Sequence, residues 1–436
     1  MNILLIFPKV RNYHPELKKE RDVLGKLFGE AVSLTLPQVA GATPKKYGVT
    51  IVDENYERIN MNQKVDLVGI TCLTMAAQRA YDLADTFRAR GIPVVLGGNH
   101  PSALPEEAKQ HADSVVIGEA ELTWPQLLHD FENGNLQPFY QSEGVIPPES
   151  IPEPRRDLLK RKYYTDGLLI RRGCPNQCEF CTITSIYNQN FRSTQNVLNE
   201  ICHISAKTIF IYDQNLTWNM PYTTSLLQEL QKCQKRWLVN GTVNILAKDD
   251  DLLRRAKEAG IFYWYIGFES ISQQSLNGAK KHLNLVEDFA LAIQNIKQYG
   301  MAIVGSFMFG FDQDTPDIFE TTFQEISQWQ LDVAEFHILT PFPGTALYKR
   351  LKKEGRIFTE EWERYNTANV VFEPKNMSPQ ELFEGTRWIA QEFYKVPKIL
   401  KRVYRTLETT KDLFITSYVL QQNMKYRMRF KDQFNF

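Results

Sequence analysis

The first part of the chain alternates short apolar runs with segments of helical periodicity. The runs lie at positions 2–7, 49–52, 67–72, 93–96 and 115–117. Between the third and fourth runs, apolar side chains recur every three or four residues from Ala77 to Phe87, and Gly91 ends this helical pattern. Strands that alternate with helices in this way form parallel sheets covered on both faces. The pattern therefore predicts an α/β domain with a doubly wound parallel sheet over residues 1–135.

A second series of βα units follows a proline-rich stretch. The prolines at 138, 147, 148, 152 and 154 fall where apolar periodicity is weak, which predicts an extended linker over residues 136–162. Further apolar runs lie at 168–170, 208–212, 237–245, 261–268, 302–311 and 334–339. Repeated βα units of this length predict a partial (β/α)6 barrel of the TIM type over residues 163–346. In such barrels the chemistry lies at the carboxyl ends of the strands.

The remaining chain, residues 347–436, has a mainly helical pattern and a basic end. Residues 391–436 contain ten Lys or Arg and four Asp or Glu, whereas the whole chain contains 51 of each class. A solvated helical face that closes one side of the barrel is the ordinary interpretation of such a charge. A docking surface for an anionic partner or a membrane is the alternative.

Composition is typical of an ordinary globular protein. Of the 436 residues, 43% are hydrophobic and 23% are charged, so burial can offset ordering entropy in two or three domains. The equal numbers of cations and anions exclude a protein-wide basic field, and we expect no nucleic-acid partner. Six cysteines and a start without a signal-peptide pattern predict a cytoplasmic protein. The longest strongly apolar stretch, 301–311, is too short for a transmembrane segment.

Half of the cysteines form a C-x3-C-x2-C cluster directly after the first run of the second unit. Cys174, Cys178 and Cys181 lie within eight residues, and closely spaced thiolates can converge on one soft metal centre. Structural zinc prefers four protein ligands, but no fourth cysteine or histidine lies near the cluster. Three thiolates on a four-iron four-sulfur (4Fe-4S) cluster would leave one iron open to a substrate. The spacing favours that cluster over zinc or three inert buried thiols.

Phe180 completes a C-x3-C-x-aromatic-C motif, which resembles the signature of the radical S-adenosylmethionine (SAM) enzymes. The resemblance implies a 4Fe-4S cluster on Cys174, Cys178 and Cys181 whose open iron binds SAM. It also implies a 5′-deoxyadenosyl radical that abstracts hydrogen from an unactivated carbon. By position, the candidate SAM contacts are Phe180, Asp213, Asn215, Glu269 and Gly305. Asp213 and Asn215 are assigned to the methionine end and Glu269 to the ribose.

Each of these strand-end assignments has a structural alternative. Polar side chains at strand ends commonly cap the backbone instead of binding a ligand. Arg192 could face an anionic group of the cofactor, but an exposed position is expected for it. His337, on the last barrel strand, faces either the barrel interior or its outside.

The amino-terminal unit resembles the cobalamin-binding domain that precedes a subset of these barrels, which has a Rossmann-like or flavodoxin-like fold. The matching segments are 66–74, 94–101 and 118–121. Here Thr71 and Thr74 would present hydroxyls, and the Gly97-Gly98 pair would leave room for a macrocycle and its nucleotide tail. A purely structural flavodoxin-like domain is the alternative. The candidate cobalamin contacts are Thr71, Leu73, Thr74, Gly97, Gly98, His100 and Glu119.

One motif of many cobalamin proteins is absent. Residues 8–14 read PKVRNYH and not D-x-H-x-x-G, so we expect no protein histidine beneath the cobalt. His14 is the candidate in this segment, but a lone histidine near a strand end is more often exposed or structurally hydrogen-bonded. The other cysteines, Cys72, Cys202 and Cys233, are expected to be small buried side chains.

The combined resemblance implies a cobalamin-dependent radical SAM enzyme that methylates an unactivated carbon. Its cofactors would be a 4Fe-4S cluster, SAM and cobalamin, and its electrons would come from a reductant such as flavodoxin or ferredoxin. Radical rearrangement, cyclisation or oxidation without methyl transfer is one alternative, and a non-catalytic iron–sulfur or cobalamin redox sensor is another. The substrate is expected to be a small molecule such as a lipid, a tetrapyrrole or a secondary metabolite. Its identity would be set mainly by the carboxyl-terminal region.

Overall fold

The computed structural model describes residues 1–10, 32–142, 144–161 and 163–434. Two six-stranded parallel sheets and a two-stranded ribbon organise these ranges. The strands are β1 (Asn2–Phe7), β2 (Gly48–Asp53), β3 (Leu67–Thr71), β4 (Val94–Gly97), β5 (Ser114–Ile117), β6 (Phe139–Gln141), β7 (Thr165–Leu169), β8 (Arg171–Arg172), β9 (Asn190–Phe191), β10 (Thr208–Tyr212), β11 (Arg236–Gly241), β12 (Ile261–Glu269), β13 (Ala302–Phe309) and β14 (Val333–Ile338).

The helices lie between the strands and continue beyond β14. They are α1 (Thr35–Ala42), α2 (Ala77–Arg88), α3 (Asn99–Ala103), α4 (Pro105–His111), α5 (Ala120–Glu132), α6 (Ile183–Ile186), α7 (Thr194–His203), α8 (Met220–Lys232), α9 (Val243–Leu246), α10 (Asp250–Glu258), α11 (Gln273–Gly278), α12 (Phe289–Gln298), α13 (Ile318–Gln328), α14 (Ala346–Lys353), α15 (Pro379–Phe393), α16 (Val396–Thr410) and α17 (Leu413–Phe434). Across the described residues, none of the helices is long and apolar enough to cross a bilayer.

The first sheet has the strand order β2-β1-β3-β4-β5-β6, and all its pairings are parallel. Side chains alternate between its two faces. Ile3 and Leu5 pack on the side of α1 and α5, whereas Leu4 and Ile6 pack on the side of α2. Burial on both faces explains why these strands are short continuous apolar runs. The doubly wound sheet predicted from the pattern is confirmed.

The sixth strand of this sheet lies inside the segment that was predicted to be an extended linker. β6 pairs in parallel with β5, and the Tyr140 hydroxyl donates a hydrogen bond to Asp130. Tyr140 is buried on the α5 side of the sheet. The neighbouring Pro138 offers only its carbonyl, which accepts from the Val115 amide. Because proline is tolerated at the start of an edge strand, the prolines did not exclude a strand here.

The second sheet is the predicted partial barrel. Its order is β14-β13-β12-β11-β10-β7, all parallel, so β14 and β7 form open edges. The outward side chains, including Trp237, Trp264 and Phe307, pack under the surrounding helices. The third run was predicted to continue to residue 245, but β11 ends at Gly241 and α9 begins at Val243.

The last helix packs against the concave face of this barrel. Tyr263, Val304 and Val333 point inward and form one apolar cluster with Tyr418 and Val419 of α17. A six-stranded barrel has an open side, and α17 covers its apolar interior there. The helical pattern predicted beyond Leu347 is confirmed, and part of it belongs to the barrel core.

Candidate functional site

The cysteine loop starts at the carboxyl end of β7, the first barrel strand. Cys174, Cys178 and Cys181 are unpaired and partly buried. The short strands β8 and β9 pair antiparallel on either side of the loop and close its base. The loop therefore lies at the mouth of the barrel, where barrel enzymes place their reactive groups.

The three thiols share one electrostatic environment. Burial raises the pKa of all three and brings that of Cys178 to about 12, while the nearby Lys281 ammonium opposes this rise. Thiols are the ligands that an iron–sulfur cluster accepts. Within the described ranges, no three His, Cys, Asp or Glu side chains converge closely enough to hold a single metal ion. The three cysteines are the donor set that a 4Fe-4S cluster with one open iron uses.

Contacts from two other elements hold the loop in place. The Glu179 amide donates over 3.0 Å to the carbonyl of Ala279, the residue after α11. The Glu179 carbonyl accepts from the Leu347 amide of α14 over 2.9 Å. The Glu179 carboxylate also receives Arg350 Nε at 2.6 Å. Phe180 packs edge-on against Phe311 with a centroid separation of 6.1 Å. Sequence spacing did not reveal Arg350, because it lies far along the chain.

A buried ion pair lies beside the loop. Arg171 Nε donates to Asp213 Oδ1 over 2.9 Å, and its Nη2 contacts both carboxylate oxygens. Both side chains are almost completely buried. The guanidinium also lies over the rings of Phe191 and Trp218. Asp213 was assigned to the methionine end of SAM. Here its carboxylate pairs with Arg171, a partner that the motifs did not indicate.

The polar ends of β10 and β12 cap their own backbone and neighbouring side chains. Asn215 Oδ1 accepts from the Thr217 amide and hydroxyl over 3.1 and 2.7 Å. Glu269 Oε1 accepts from Lys281 Nζ over 2.5 Å. Glu269 has a φ of +65°, which is strained for a residue with a side chain and is a common feature of functional sites. The Asn215 contact with the Thr217 amide is a backbone cap, and the assignment of Asn215 and Glu269 to SAM stays a prediction.

Gly305 has a packing reason for its lack of a side chain. A Cβ there would lie 3.0 Å from the Phe268 ring and 3.1 Å from Leu331, on the outer side of the barrel. Ser306, the next residue, is on the concave face. The geometry places Gly305 beside the apolar layer under the helices, and its role in SAM binding stays a prediction.

The concave face carries a polar network that the sequence did not reveal. Glu335 accepts hydrogen bonds from the hydroxyls of Tyr265 and of Tyr426, which belongs to α17. His337 Nε2 donates to Glu335 over 3.1 Å, and His337 Nδ1 lies 3.1 Å from the Thr367 hydroxyl. Because Glu335 and His337 alternate with outward-facing residues, both face the barrel interior. Burial would raise the pKa of Glu335, but its contacts, led by that with His337, hold the pKa well below its usual value.

One cavity of about 460 Å³ lies where the two sheets meet. Its volume is in the range of cofactor and small-molecule sites. The first unit contributes an apolar wall around Leu5, Val95 and Trp124 of α5, together with strand ends. The barrel contributes residues that flank the cysteine loop. The strand-end and loop-flanking residues are Thr71, Gly97, Gly98, Glu119, Arg171, Arg172 and Gly173.

Two polar contacts join the units across this cavity. Arg172 Nη1 donates to Glu119 over 3.0 Å, and its Nη2 donates to Glu121. The Tyr187 hydroxyl donates to Asn99 Oδ1 over 2.9 Å. Burial raises the pKa of Glu119, and the Arg172 charge opposes that shift. The cysteine loop is thereby fixed against the carboxyl ends of the first sheet.

Comparison with known families matches most of the chain. Residues 21–128 match the B12 binding domain, residues 168–326 match the Radical SAM superfamily, and residues 345–431 match a domain of unknown function, DUF4070. The bacteriochlorophyllide d C-12(1)-methyltransferase of Chlorobaculum tepidum is 32% identical over 389 residues, which are 86% of this chain and 85% of that protein.

The chain belongs to the cobalamin-dependent radical SAM enzymes. The hopanoid C-2 methylase of Rhodopseudomonas palustris is a more distant relative, 26% identical over 81% of this chain and 71% of its own. The structure of the radical SAM methyltransferase TsrM from Kitasatospora setae, with cobalamin and a [4Fe-4S] cluster bound, superposes with a TM-score of 0.71. That match covers 99% of each chain at 14% identity, and it shows the shared fold. The cofactors of this radical SAM enzyme are therefore the cluster, SAM and cobalamin.

The interdomain cavity of this radical SAM enzyme fits cobalamin in its chemistry. Three buried polar atoms of cavity-lining residues have no hydrogen-bond partner within the described ranges: Gln38 Oε1, Glu119 Oε2 and Arg171 Nη1. Buried polar atoms are rarely left unpaired, and cobalamin carries amide groups that both donate and accept. Gly97 adds no side chain to the cavity wall, and the wall near Trp124 is apolar. Both surfaces suit the flat and aromatic parts of cobalamin.

The structure divides the predicted cobalamin contacts into two groups. Thr71, Gly97, Gly98 and Glu119 line the cavity. Gly98 has a φ of +99°, and a Cβ there would lie 2.9 Å from Thr71 Oγ1, so its own backbone already requires glycine. Leu73, Thr74 and His100 are not part of the cavity wall as the structure defines it.

The predicted contact His100 belongs to an interface with the carboxyl-terminal region. Its Nε2 lies 3.2 Å from Glu107 Oε1, which also accepts from Tyr81 and from Trp362 Nε1. The rings of His100 and Trp362 meet edge-on at 5.2 Å. Trp362 thus packs against the first unit.

Other sequence expectations have mixed outcomes. Arg192 is buried, not exposed, because Glu200 and the Leu169 carbonyl accept its hydrogen bonds. Cys72 is buried as expected, Cys233 is partly exposed, and the expectation for Cys202 is wrong because it is exposed near the end of α7. His14 lies outside the described residues.

Proposed function

We propose that this enzyme methylates an unactivated carbon of a large apolar small molecule of the tetrapyrrole or polycyclic lipid class. The observation that carries the proposal is the interdomain cavity. Strand ends of the first sheet and residues that flank the cysteine loop line it together. Once bound, the cofactors supply the radical that removes hydrogen and the methyl group that replaces it. Methyl donor and radical source would then face one substrate.

The names of the relatives support the substrate class. One acts on bacteriochlorophyllide d and one on a hopanoid, and both substrates are large fused or macrocyclic ring systems. At the cavity, Arg171 and Arg172 are both paired with carboxylates, so the chain adds little unbalanced charge there. An apolar surface excludes water and the side reactions that water allows.

The residues near the cysteine loop have positioning roles in this proposal. The Arg171–Asp213 pair fixes the start of the loop against β10, and Arg350 fixes its middle. Lys281 lies against Glu269 at the mouth of β12 and lowers the cost of thiolate charge on Cys178. On the concave face, His337 and Glu335 offer polar groups that can orient a substrate.

The test uses full-length protein that has been reconstituted with cluster and cobalamin without oxygen. It is incubated with a reductant, SAM labelled in its methyl group and bacteriochlorophyllide d, and in parallel with a hopanoid. We expect a labelled product that has gained one methyl group by mass spectrometry. Cys178→Ala should abolish product and iron–sulfur absorption, whereas Cys202→Ala, an exposed cysteine outside the loop, should retain both.

The same assay separates the alternatives. Formation of 5′-deoxyadenosine together with an unlabelled, altered product would overturn methylation in favour of a rearrangement, cyclisation or oxidation. Methylation of neither compound, with methylation of a small polar substrate instead, would overturn the proposed substrate class. Absence of any 5′-deoxyadenosine from fully loaded protein would contradict radical catalysis.

A further inference from the structure

An exposed apolar stripe runs along α16, on the side away from the barrel. Val396, Leu400 and Tyr404 recur every four residues and are 46%, 59% and 61% exposed. Leu413, at the start of α17, is 76% exposed. On the opposite side of α16, Ile399 and Thr406 are buried. The helix therefore buries one side against the barrel and presents an apolar stripe to the solvent.

Cations flank this stripe. Lys398, Lys401 and Arg405 follow one another at helical spacing beside it, and Lys395 and Lys411 lie at its two ends. Between positions 395 and 411 the chain has six Lys or Arg and one acidic residue. Of the six, only Arg402 is buried, where it stacks on Phe393 at 3.8 Å. Lys395 and Lys398 also pair with Glu392, so the positive charge on the exposed side of α16 comes mainly from Lys401, Arg405 and Lys411.

The stripe lies at the end of the barrel opposite to the cysteine loop. The Thr406 hydroxyl donates to Asp332 just before β14, and Arg236 at the start of β11 lies 3.7 Å from Asp412. A Cβ on Gly300, just before β13, would approach Thr410. All three contacts are at the amino-terminal ends of barrel strands. A partner on this side would leave the mouth of the barrel open.

We propose that α16 and the start of α17 form a docking surface for an anionic lipid bilayer. A helix with an apolar stripe and flanking lysines and arginines lies in the membrane interface, where its apolar side chains enter the acyl boundary and its cations meet the headgroups. A second copy of the chain fits poorly, because the same positive charges would then face each other. The stripe is also the outer face of a helix and not a groove, which suits a broad lipid surface.

The test is co-sedimentation of the full-length protein with vesicles of phosphatidylcholine, with and without phosphatidylglycerol. We expect binding to the vesicles that contain phosphatidylglycerol, and weaker binding as salt is added. Leu400→Glu should reduce partitioning by about tenfold or more, because one leucine contact with the acyl region is lost and a negative charge is added. Lys401→Glu combined with Arg405→Glu should have a similar effect.

The matched control is Leu122→Glu, which makes the same substitution at an exposed leucine on α5 of the first unit. It should leave vesicle binding unchanged. Thermal unfolding of each variant checks that the exposed substitution has not damaged the fold. Failure to bind phosphatidylglycerol vesicles would overturn the proposal. So would equal binding by Leu400→Glu and the unchanged protein, or a dimer that Leu400→Glu converts to monomers. None of these readouts depends on methyl transfer.

Discussion

Arg171 is a cation held in a nearly water-free position three residues before the first cluster cysteine. Its charge is balanced by the Asp213 carboxylate, and its flat guanidinium lies over the rings of Phe191 and Trp218. Removing a charge from water is costly unless geometry and hydrogen bonds compensate for it. One Nη1 atom has no partner within the described ranges and borders the interdomain cavity. Arg171 therefore connects the fold of the barrel mouth with the cofactor cavity.

We predict that Arg171→Met destabilises the protein by about 3–5 kcal/mol, because Asp213 is then left buried without its partner. The free energy of unfolding from denaturant titration measures this loss. Arg155→Ala, which removes an exposed pair with Asp157, is the control and should cost less than about 1 kcal/mol. An Arg171→Met protein as stable as the control variant would show that the pair contributes little. Arg171→Met combined with Asp213→Leu should recover part of the loss.

Glu335 gives a pH-dependent prediction. Its hydrogen bonds hold its folded pKa below the ordinary value of 4.5, so its stabilising effect is complete above about pH 4.5 and is lost as the pH falls below that value. Glu335→Gln should cost about 1.5–3 kcal/mol at neutral pH. It should also make unfolding less sensitive to acid than in the unchanged protein. Parallel acid-unfolding curves for the two proteins would contradict the assignment.

At the scale of elements, local patterns predicted more than contacts between distant parts of the chain. The barrel strands were found because buried parallel strands are continuous apolar runs. β6 was missed because prolines and a short length hid an edge strand that is defined by its pairing with β5. The cysteine loop was found from the spacing of its thiols. The contact of Glu179 with Arg350 could not be predicted, because the two residues lie far apart in sequence and meet only after folding.

Arg350 leads to a prediction about the cluster loop. Arg350→Ala should loosen the loop and speed the release of iron to a chelator by about tenfold, since a charge-assisted contact of this kind contributes about 1.5–3 kcal/mol. Lys352→Ala, on the exposed side of the same helix α14, is the matched control. Iron release is measured from anaerobically reconstituted protein. Equal rates in the two variants would show that the Arg350 side chain does not hold the loop.

At the scale of the whole molecule, few polar groups fix the first unit against the barrel. Arg172 is one of them, and it contacts Glu119 and Glu121 beside the cavity. The sequence showed that two units are present but not how they meet, because an interface depends on surfaces that folding creates. Trp362 shows the same limit, since nothing near it in sequence indicates its contact with Glu107.

We predict that Arg172→Ala weakens cobalamin binding by about tenfold or more, because two buried carboxylates lose their partner at the cavity wall. Equilibrium titration followed by cobalamin absorption measures the change without any turnover. Arg155→Ala, outside the cavity, should bind as tightly as the unchanged protein. Unchanged affinity in Arg172→Ala would indicate that cobalamin does not depend on this part of the wall.

The position of α17 has a consequence for how the enzyme is made. Its residues Tyr418 and Val419 complete the apolar interior, and Tyr426 binds Glu335 on the strand face where the substrate would be held. This helix is synthesised after both units. On the ribosome, the barrel interior therefore lacks its apolar cover until α17 emerges.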